Sequence, residues 1–410
     1  MRNEIITGRH RLFIAASFCA YFVMAIPLTV QGSVAPLTME FYGISAAQQG
    51  LIVTMQSTGA FCTSIFIALR GERYNKIHII AIGLVIICIL GLVISGVPSY
   101  ALLLGLVAIV GIGTCFIDVM MNSVFSDTYP KQMAVVIPLV HAFYSVGATV
   151  VPVFASLLVD PDVPFTFAYM YRLLFILAAP VFVLYIISGR RIMKETPYIN
   201  LDAMKKRVAE NPTEVFKSKT SWFFLAVGVM YFSFQIGITM WIPTYAIREA
   251  GADYGAGAMM VTAFYGGTLV MRFLVPLFLR KFTAHQVFSC FGWTSIAFMF
   301  AALFAGNITL MLVFVIISGF FQGSNVATFI LMCTEAFPER TASASALCAI
   351  SGGIAFLSAP LWMGALSDFT GFLFPMVLIC CIFFVSATLV FFHGRQRKKE
   401  VDKKWIFKKN

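Results

Sequence analysis

Among eighteen acidic side chains in 410 residues, Asp118 alone stands deep inside an apolar stretch, nine positions from Asp127, its nearest charged neighbour in the chain. Asn122 follows one helical turn later and shares its face. The histidines repeat the pattern: His10, His78, His285 and His393 sit at the ends of apolar runs, whereas His141 lies inside one, ten residues past Lys131. At about 1.5 Å per helical residue, Asp118 is about 14 Å from Asp127 and His141 about 15 Å from Lys131. A reversal of the chain at Tyr129-Pro130-Lys131 therefore brings carboxyl and imidazole to one depth, buried on adjacent helices. A carboxylate in hydrocarbon is costly unless paired or wet, and an imidazole titrates near neutral pH, so together they can hold and relay a proton. The plainer alternative is a permanently protonated Asp118 bonded to a neighbouring helix, beside a satisfied core histidine.

Other polar groups are spaced through the apolar runs. Gln31, Asn122, Tyr144, Tyr231, Gln235, Gln322 and Asn325 offer amides and phenols, and Trp241 an aromatic face, a set suited to hydroxyl-rich uncharged solutes. Each of them could instead bond helix to helix. Trp241 and Gln235 lie about 120° apart around an ideal helix, so both face one cavity only if Gly237 or Pro243 distorts it. Arg172 and Arg272 are the cations within apolar runs. Arg172 is close enough to a run's end to snorkel outward. Arg272, two turns from Arg280, either binds an anionic substrate or braces an inner gate. The brace is the favoured reading, with Asp127 and Glu335 at the inner ends of their runs. Enzyme chemistry finds no foothold: no Gly-Lys dipeptide exists for a P-loop, and no His-Glu-x-x-His or glycine-fingerprint loop occurs. None of nine cysteines is in a C-x-x-C spacing, so no metal or cofactor is expected.

The elements that must position these groups are membrane helices. Hydrophobic residues make up 60% of the chain and charged residues only 11%, with a mean hydropathy of +0.89, against about 25% charged residues in a soluble domain. The same values exclude a nucleic-acid-binding chain despite a net charge of +11. Twelve apolar runs, from Leu12 to His393, approach the length of about 20 residues needed to cross a hydrocarbon core of about 30 Å. With the N-terminus inside, every Lys and Arg except Arg172, Arg248 and Arg272 falls on one side. The positive-inside rule then puts both termini in the cytoplasm of a plasma-membrane protein. The expected division is residues 1–188 as one six-helix bundle, 189–220 as a cytoplasmic loop, 221–393 as a second bundle and 394–410 as a basic tail. Partners are the bilayer, protons and a small solute, acting on a monomer.

A shift of 208 residues lays Ser126-Asp127-Thr128-Tyr129-Pro130 on Thr334-Glu335-Ala336-Phe337-Pro338. The same shift pairs Gly59 with Gly267, Gly111 with Gly319, Pro152 with Pro360, Leu158 with Leu366 and Asp160 with Asp368. The fold class is thus all-α, with twelve transmembrane helices in two parallel six-helix repeats, an architecture that binds solute between the halves.

Over nearly its whole length the chain resembles the major facilitator superfamily. Gly71-Glu72-Arg73-Tyr74-Asn75-Lys76 looks like a degenerate form of that family's loop signature, without its Asp-Arg pair. Asp118 to Asn122, His141 to Ala148 with Pro152, Tyr231 to Gln235 and Trp241 to Tyr245 are similar to the fucose permease-like branch. Gln235 stands where that branch often carries an acid. The resemblance implies alternating access and proton-coupled symport of a sugar-like neutral solute. The alternative is a proton-driven exporter of amphipathic compounds, with 42 Phe and 20 Met available to line an adaptable pocket.

Overall fold

A computed structural model describes residues 8–70, 74–128, 133–195, 218–337 and 341–407. The loop signature at Gly71 to Arg73, the reversal at Tyr129 to Lys131, most of the central loop and Arg340 lie outside them. So do the side chains of Asp127 and of the tail beyond Gln396.

The described residues form helices α1 (Gly8–Ser33), α2 (Ala35–Tyr42), α3 (Ala46–Arg70), α4 (Lys76–Ile94), α5 (Tyr100–Thr128), α6 (Met133–Leu158) and α7 (Ala168–Glu195). After the central loop come α8 (Lys219–Arg248), α9 (Tyr254–Leu279), α10 (Ala284–Leu303), α11 (Ile308–Gln322), α12 (Asn325–Ala336), α13 (Thr341–Thr370) and α14 (Leu373–Phe407). Among the described residues twelve helical segments are long and apolar enough to cross a membrane, close to the twelve runs expected. A helix satisfies its backbone internally, which hydrocarbon demands, and its ends use local caps. The Asn75 side chain accepts from Ile77 and His78 at the start of α4, Asp253 accepts from Ala256 at the start of α9, and Thr283 with Gln286 forms a capping box on α10.

Two details differ from the sequence reading. The first run stops at Ser33, with short α2 beginning at Ala35 and ending on left-handed Gly43. The tenth run is broken between α11 and α12 at Gly323-Ser324. A Cβ at Gly323 would stand 2.5 Å from the Thr268 carbonyl oxygen, so the chain bends where a neighbouring backbone crowds it.

The repeat is visible in the packing. α3 and α5 cross with their backbones in contact: a Cβ on Gly59 would lie 1.9 Å from the Ala108 carbonyl oxygen, and one on Gly111 1.8 Å from that of Gln56. In the second half α9 and α11 cross the same way, with Gly267 at 2.2 Å from the Ile316 oxygen and Gly319 at 2.1 Å from that of Phe264. Both glycine pairs are the ones related by the 208-residue shift. The apolar core divides accordingly, one cluster centred on α1 to α7 and another on α8 to α14.

The halves meet along α3 with α13, α6 with α9 and α1 with α8. Asp368, at the end of α13, accepts the backbone N–H groups of Ala46 (2.8 Å) and Ala47 (3.0 Å) at the start of α3, so a carboxylate of one half caps a helix of the other. Tyr254 donates to the Ser33 carbonyl at 3.0 Å, Thr262 to that of Thr149 at 2.8 Å and Thr54 to that of Leu357 at 2.9 Å. These contacts fall toward the end of the bundle where α3 begins and α13 finishes. That end is sealed.

Candidate functional site

Asp118 lies on α5, half-buried, with its side chain turned toward α1. Tyr21 of α1 donates its hydroxyl to Asp118 Oδ1 at 2.9 Å. Asn122 donates from Nδ2 to the Asp118 carbonyl oxygen at 2.9 Å and to Oδ1 at 3.3 Å, as its spacing of one turn allows. The Tyr21 ring also meets the His141 ring edge to face, centroids 5.2 Å apart. A fully buried phenol therefore sits between the carboxylate and the imidazole.

His141 of α6 departs from expectation in one respect. It is exposed rather than buried. Its neighbours come from α1 (Tyr21), α5 (Asp118, within electrostatic reach) and α9 (Arg272), so the ring stands where helices of the two halves face one another. An ionisable residue at membrane depth requires a partner or water.

Arg272 enters from α9, also half-buried. Its Nη1 donates to Ser145 Oγ, one turn from His141, and approaches the His141 carbonyl oxygen at 3.5 Å. Close packing brings these elements together. Ala25, Ala148, Val261 and Tyr265 form a small cluster with Tyr144 where α1, α6 and α9 meet, and a Cβ on Gly147 would stand 2.5 Å from the Phe22 carbonyl oxygen. Arg172, by contrast, is exposed and lies over the Tyr169 ring at 5.4 Å.

A second polar set adjoins the first. Tyr231 donates to Gln235 Oε1 at 3.2 Å along α8, and Gln322 of α11 is near the same phenol without a hydrogen bond to it. The Gln322 side-chain nitrogen is buried without a hydrogen-bond partner, a state that costs about 1–3 kcal/mol unless water or a ligand fills it. The link between the two sets is Arg272, which feels Tyr144, Tyr231 and Tyr265 together.

The structure thus brings Asp118, Asn122, His141, Tyr144 and Arg272 into one polar centre, with Tyr231, Gln235 and Gln322 beside it. Other predicted residues stand apart. Gln31 donates to Gln56, tying α1 to α3 about 15 Å along α1 from Tyr21. Trp241 is fully buried against Phe372, ring centroids 5.5 Å apart, with Gly364 beneath its indole. α8 runs unbroken through Gly237 and Pro243, so Trp241 and Gln235 keep different faces. Asn325 is buried at the broken tenth span, where Ser324 donates to its Oδ1 at 2.9 Å. Glu335 is exposed near the end of α12, and Asp127 lies in the last turn of α5. Tyr21 and Ser145 were missed. Their one signal was a hydroxyl at the depth of Asp118 and His141.

A profile of the Major Facilitator Superfamily matches residues 17–286 and 247–408. The chain is 24% identical over 335 residues to the uncharacterized transporter YycB of Bacillus subtilis (strain 168), covering 80% of this chain and 79% of that one. It is 24% identical over 390 residues to the 2-nitroimidazole transporter of Escherichia coli (strain K12), covering 90% of each. The inner membrane transport protein YdiM of the same organism is 20% identical over 332 residues, 79% of each chain. Among solved structures, a bacterial homologue of the human lysosomal transporter Spinster, inward-facing and occupied, superposes with a TM-score of 0.75 at 17% identity, over 95% of this chain and 97% of that one. A D-xylose-proton symporter does so with a TM-score of 0.72 at 13% identity, over 92% and 96%. At such identities the likeness is one of fold, and neighbours this varied do not select the fucose permease-like branch.

Proposed function

The chain belongs to the Major Facilitator Superfamily, and on that premise we propose that it carries a small sugar-like solute together with a proton by alternating access. The observation that carries this reading is the Asp118–Tyr21–His141 cluster between α1, α5 and α6, which this reading places in a cleft between the halves. A proton arriving on Asp118 or His141 changes the local charge by one unit, and the two groups lie within electrostatic reach of each other on either side of Tyr21. Charge in such a cleft biases which end of the bundle closes, and that coupling links proton movement to rocking of the halves. Relatives named as inner membrane transport proteins support placement in the plasma membrane.

Residues 1–188 and 221–393 form the two moving halves, joined by a cytoplasmic loop at 189–220 and followed by the basic tail 394–410. Both termini are cytoplasmic, so the end tied by Asp368 and Tyr254 is the outer one, and on this reading solute is released inward. Tyr231, Phe288, Phe329 and Phe383 meet one another edge-on or tilted inside the second half; a proton-driven exporter of amphipathic compounds is the alternative reading.

Orientation has a direct test. Single cysteines replacing Lys205 and Lys403, in a background without native thiols, are expected to resist impermeant reagents on intact cells, while those replacing Asp162 and Asp253 react. The reverse pattern contradicts the assigned sidedness. The coupling itself is tested by following the pH of the medium as solute enters proteoliposomes.

A further inference from the structure

Arg272 stands about 10 Å along α9 from Leu279, within the membrane-spanning part of the bundle. A guanidinium carries five N–H donors and is always charged. Here it has one bond, to the neutral Ser145 hydroxyl, and a marginal approach to the His141 carbonyl. The titratable groups around it are the phenols of Tyr144, Tyr231 and Tyr265 and the His141 imidazole, none of which offers a negative charge in its ordinary form at pH 7. Asp118 is engaged elsewhere, with Tyr21 and Asn122. The bond to Ser145 ties α9 to α6 but leaves the positive charge uncompensated, since among the described residues no carboxylate pairs with it.

A half-buried cation at this depth, open to the cleft and ringed by phenols, wants an anion. We propose that the transported solute supplies it: the solute bears a carboxylate or similar anionic group, held by the free donors of Arg272 with hydroxyls of Tyr144, Tyr231 or Tyr265 alongside. This deepens the symport reading and rests on it, but replaces the neutral sugar with a sugar-sized organic anion. It also sets the charge arithmetic. One monovalent anion crossing with one proton moves no net charge, so uptake follows the pH gradient and ignores the membrane potential.

The experiment uses purified full-length protein in proteoliposomes with an imposed pH gradient, the potential clamped by potassium and valinomycin. Labelled gluconate and glucuronate are compared with glucose, and binding is checked by thermal shift. The expected result is accumulation of a sugar acid that changes less than about twofold between zero and about −100 mV, with glucose taken up at least tenfold less. Arg272→Gln is expected to lose at least about 30-fold in sugar-acid affinity, as truncation of one member of a buried charge pair does. Arg272→Lys keeps the charge without the fork and is expected to retain part. Because Arg272→Gln could misfold, the wild-type potential dependence stands as an independent readout. Glucose accumulated with an inward current overturns the anion proposal while leaving proton symport intact. Binding of neither acid in preference to glucose overturns it as well. Sugar-acid uptake without proton movement upholds the anion site and overturns the symport reading.

Discussion

Asp118→Asn is expected to abolish uphill transport while leaving exchange across the membrane largely intact. One proton moving down a gradient equivalent to about 100 mV supplies about 2.3 kcal/mol, enough for about 50-fold accumulation. The substitution should reduce that ratio to about one, because an amide cannot gain or lose a proton in the working pH range. Its oxygen can still accept from Tyr21 and Asn122 as Asp118 Oδ1 does, so the local geometry is kept. Counterflow of the same labelled solute, which needs no net proton movement, is expected to stay within about threefold of wild type. Energised vesicles and counterflow, run on one preparation, make the comparison. Wild-type accumulation in the mutant would remove Asp118 from the proton path.

Gly319→Leu is expected to prevent recovery of folded protein. A Cβ at that position would stand 2.1 Å from the Phe264 carbonyl oxygen, and the obstacle is backbone of another helix, which cannot rotate aside. Even one added methylene in a tight core costs about 1–3 kcal/mol, and here α9 and α11 would have to separate along their crossing. Gly111→Leu, at the equivalent α3–α5 crossing, should fail in the same way, since its Cβ would meet the Gln56 oxygen at 1.8 Å. Gly105→Ala is the control, because nothing lies within 4 Å of a Cβ there. Size-exclusion profiles and melting temperature in detergent should show loss of the monodisperse peak for the first two and no loss for the third. A folded Gly319→Leu protein with unchanged melting temperature would contradict the packing described.

Much of this was readable from the chain because hydrocarbon is so unforgiving a solvent. Twelve apolar runs had to become helices, and the only deep acid and deep histidine had to find each other or water. Their depths, counted from Asp127 and Lys131, placed them together before any contact was known. What could not be read is direction around the helix axis. Tyr21 looks like any aromatic of a first span until its hydroxyl is seen on Asp118, and Trp241 looks like a cavity wall until Phe372 covers it. His141 counted as buried by depth, yet depth says nothing about exposure, which is set only once α1, α5, α6 and α9 are assembled. The bond across the halves at Asp368 was equally hidden. Asp160 and Asp368 are equivalent in the repeat, but Asp160 turns back on its own loop, accepting from Asp162, whereas Asp368 reaches across to α3. Contacts between residues more than 300 positions apart carry no local signature.

The central claim is that solute and proton enter together. The direct measurement is the pH of a weakly buffered medium around proteoliposomes of the wild-type protein as labelled gluconate, glucuronate or glucose is added without any imposed gradient of protons. The account predicts that the medium turns alkaline in step with entry of the accepted solute, at about one proton per molecule, and that Asp118→Asn removes the signal. Entry of solute with no change in external pH would contradict it.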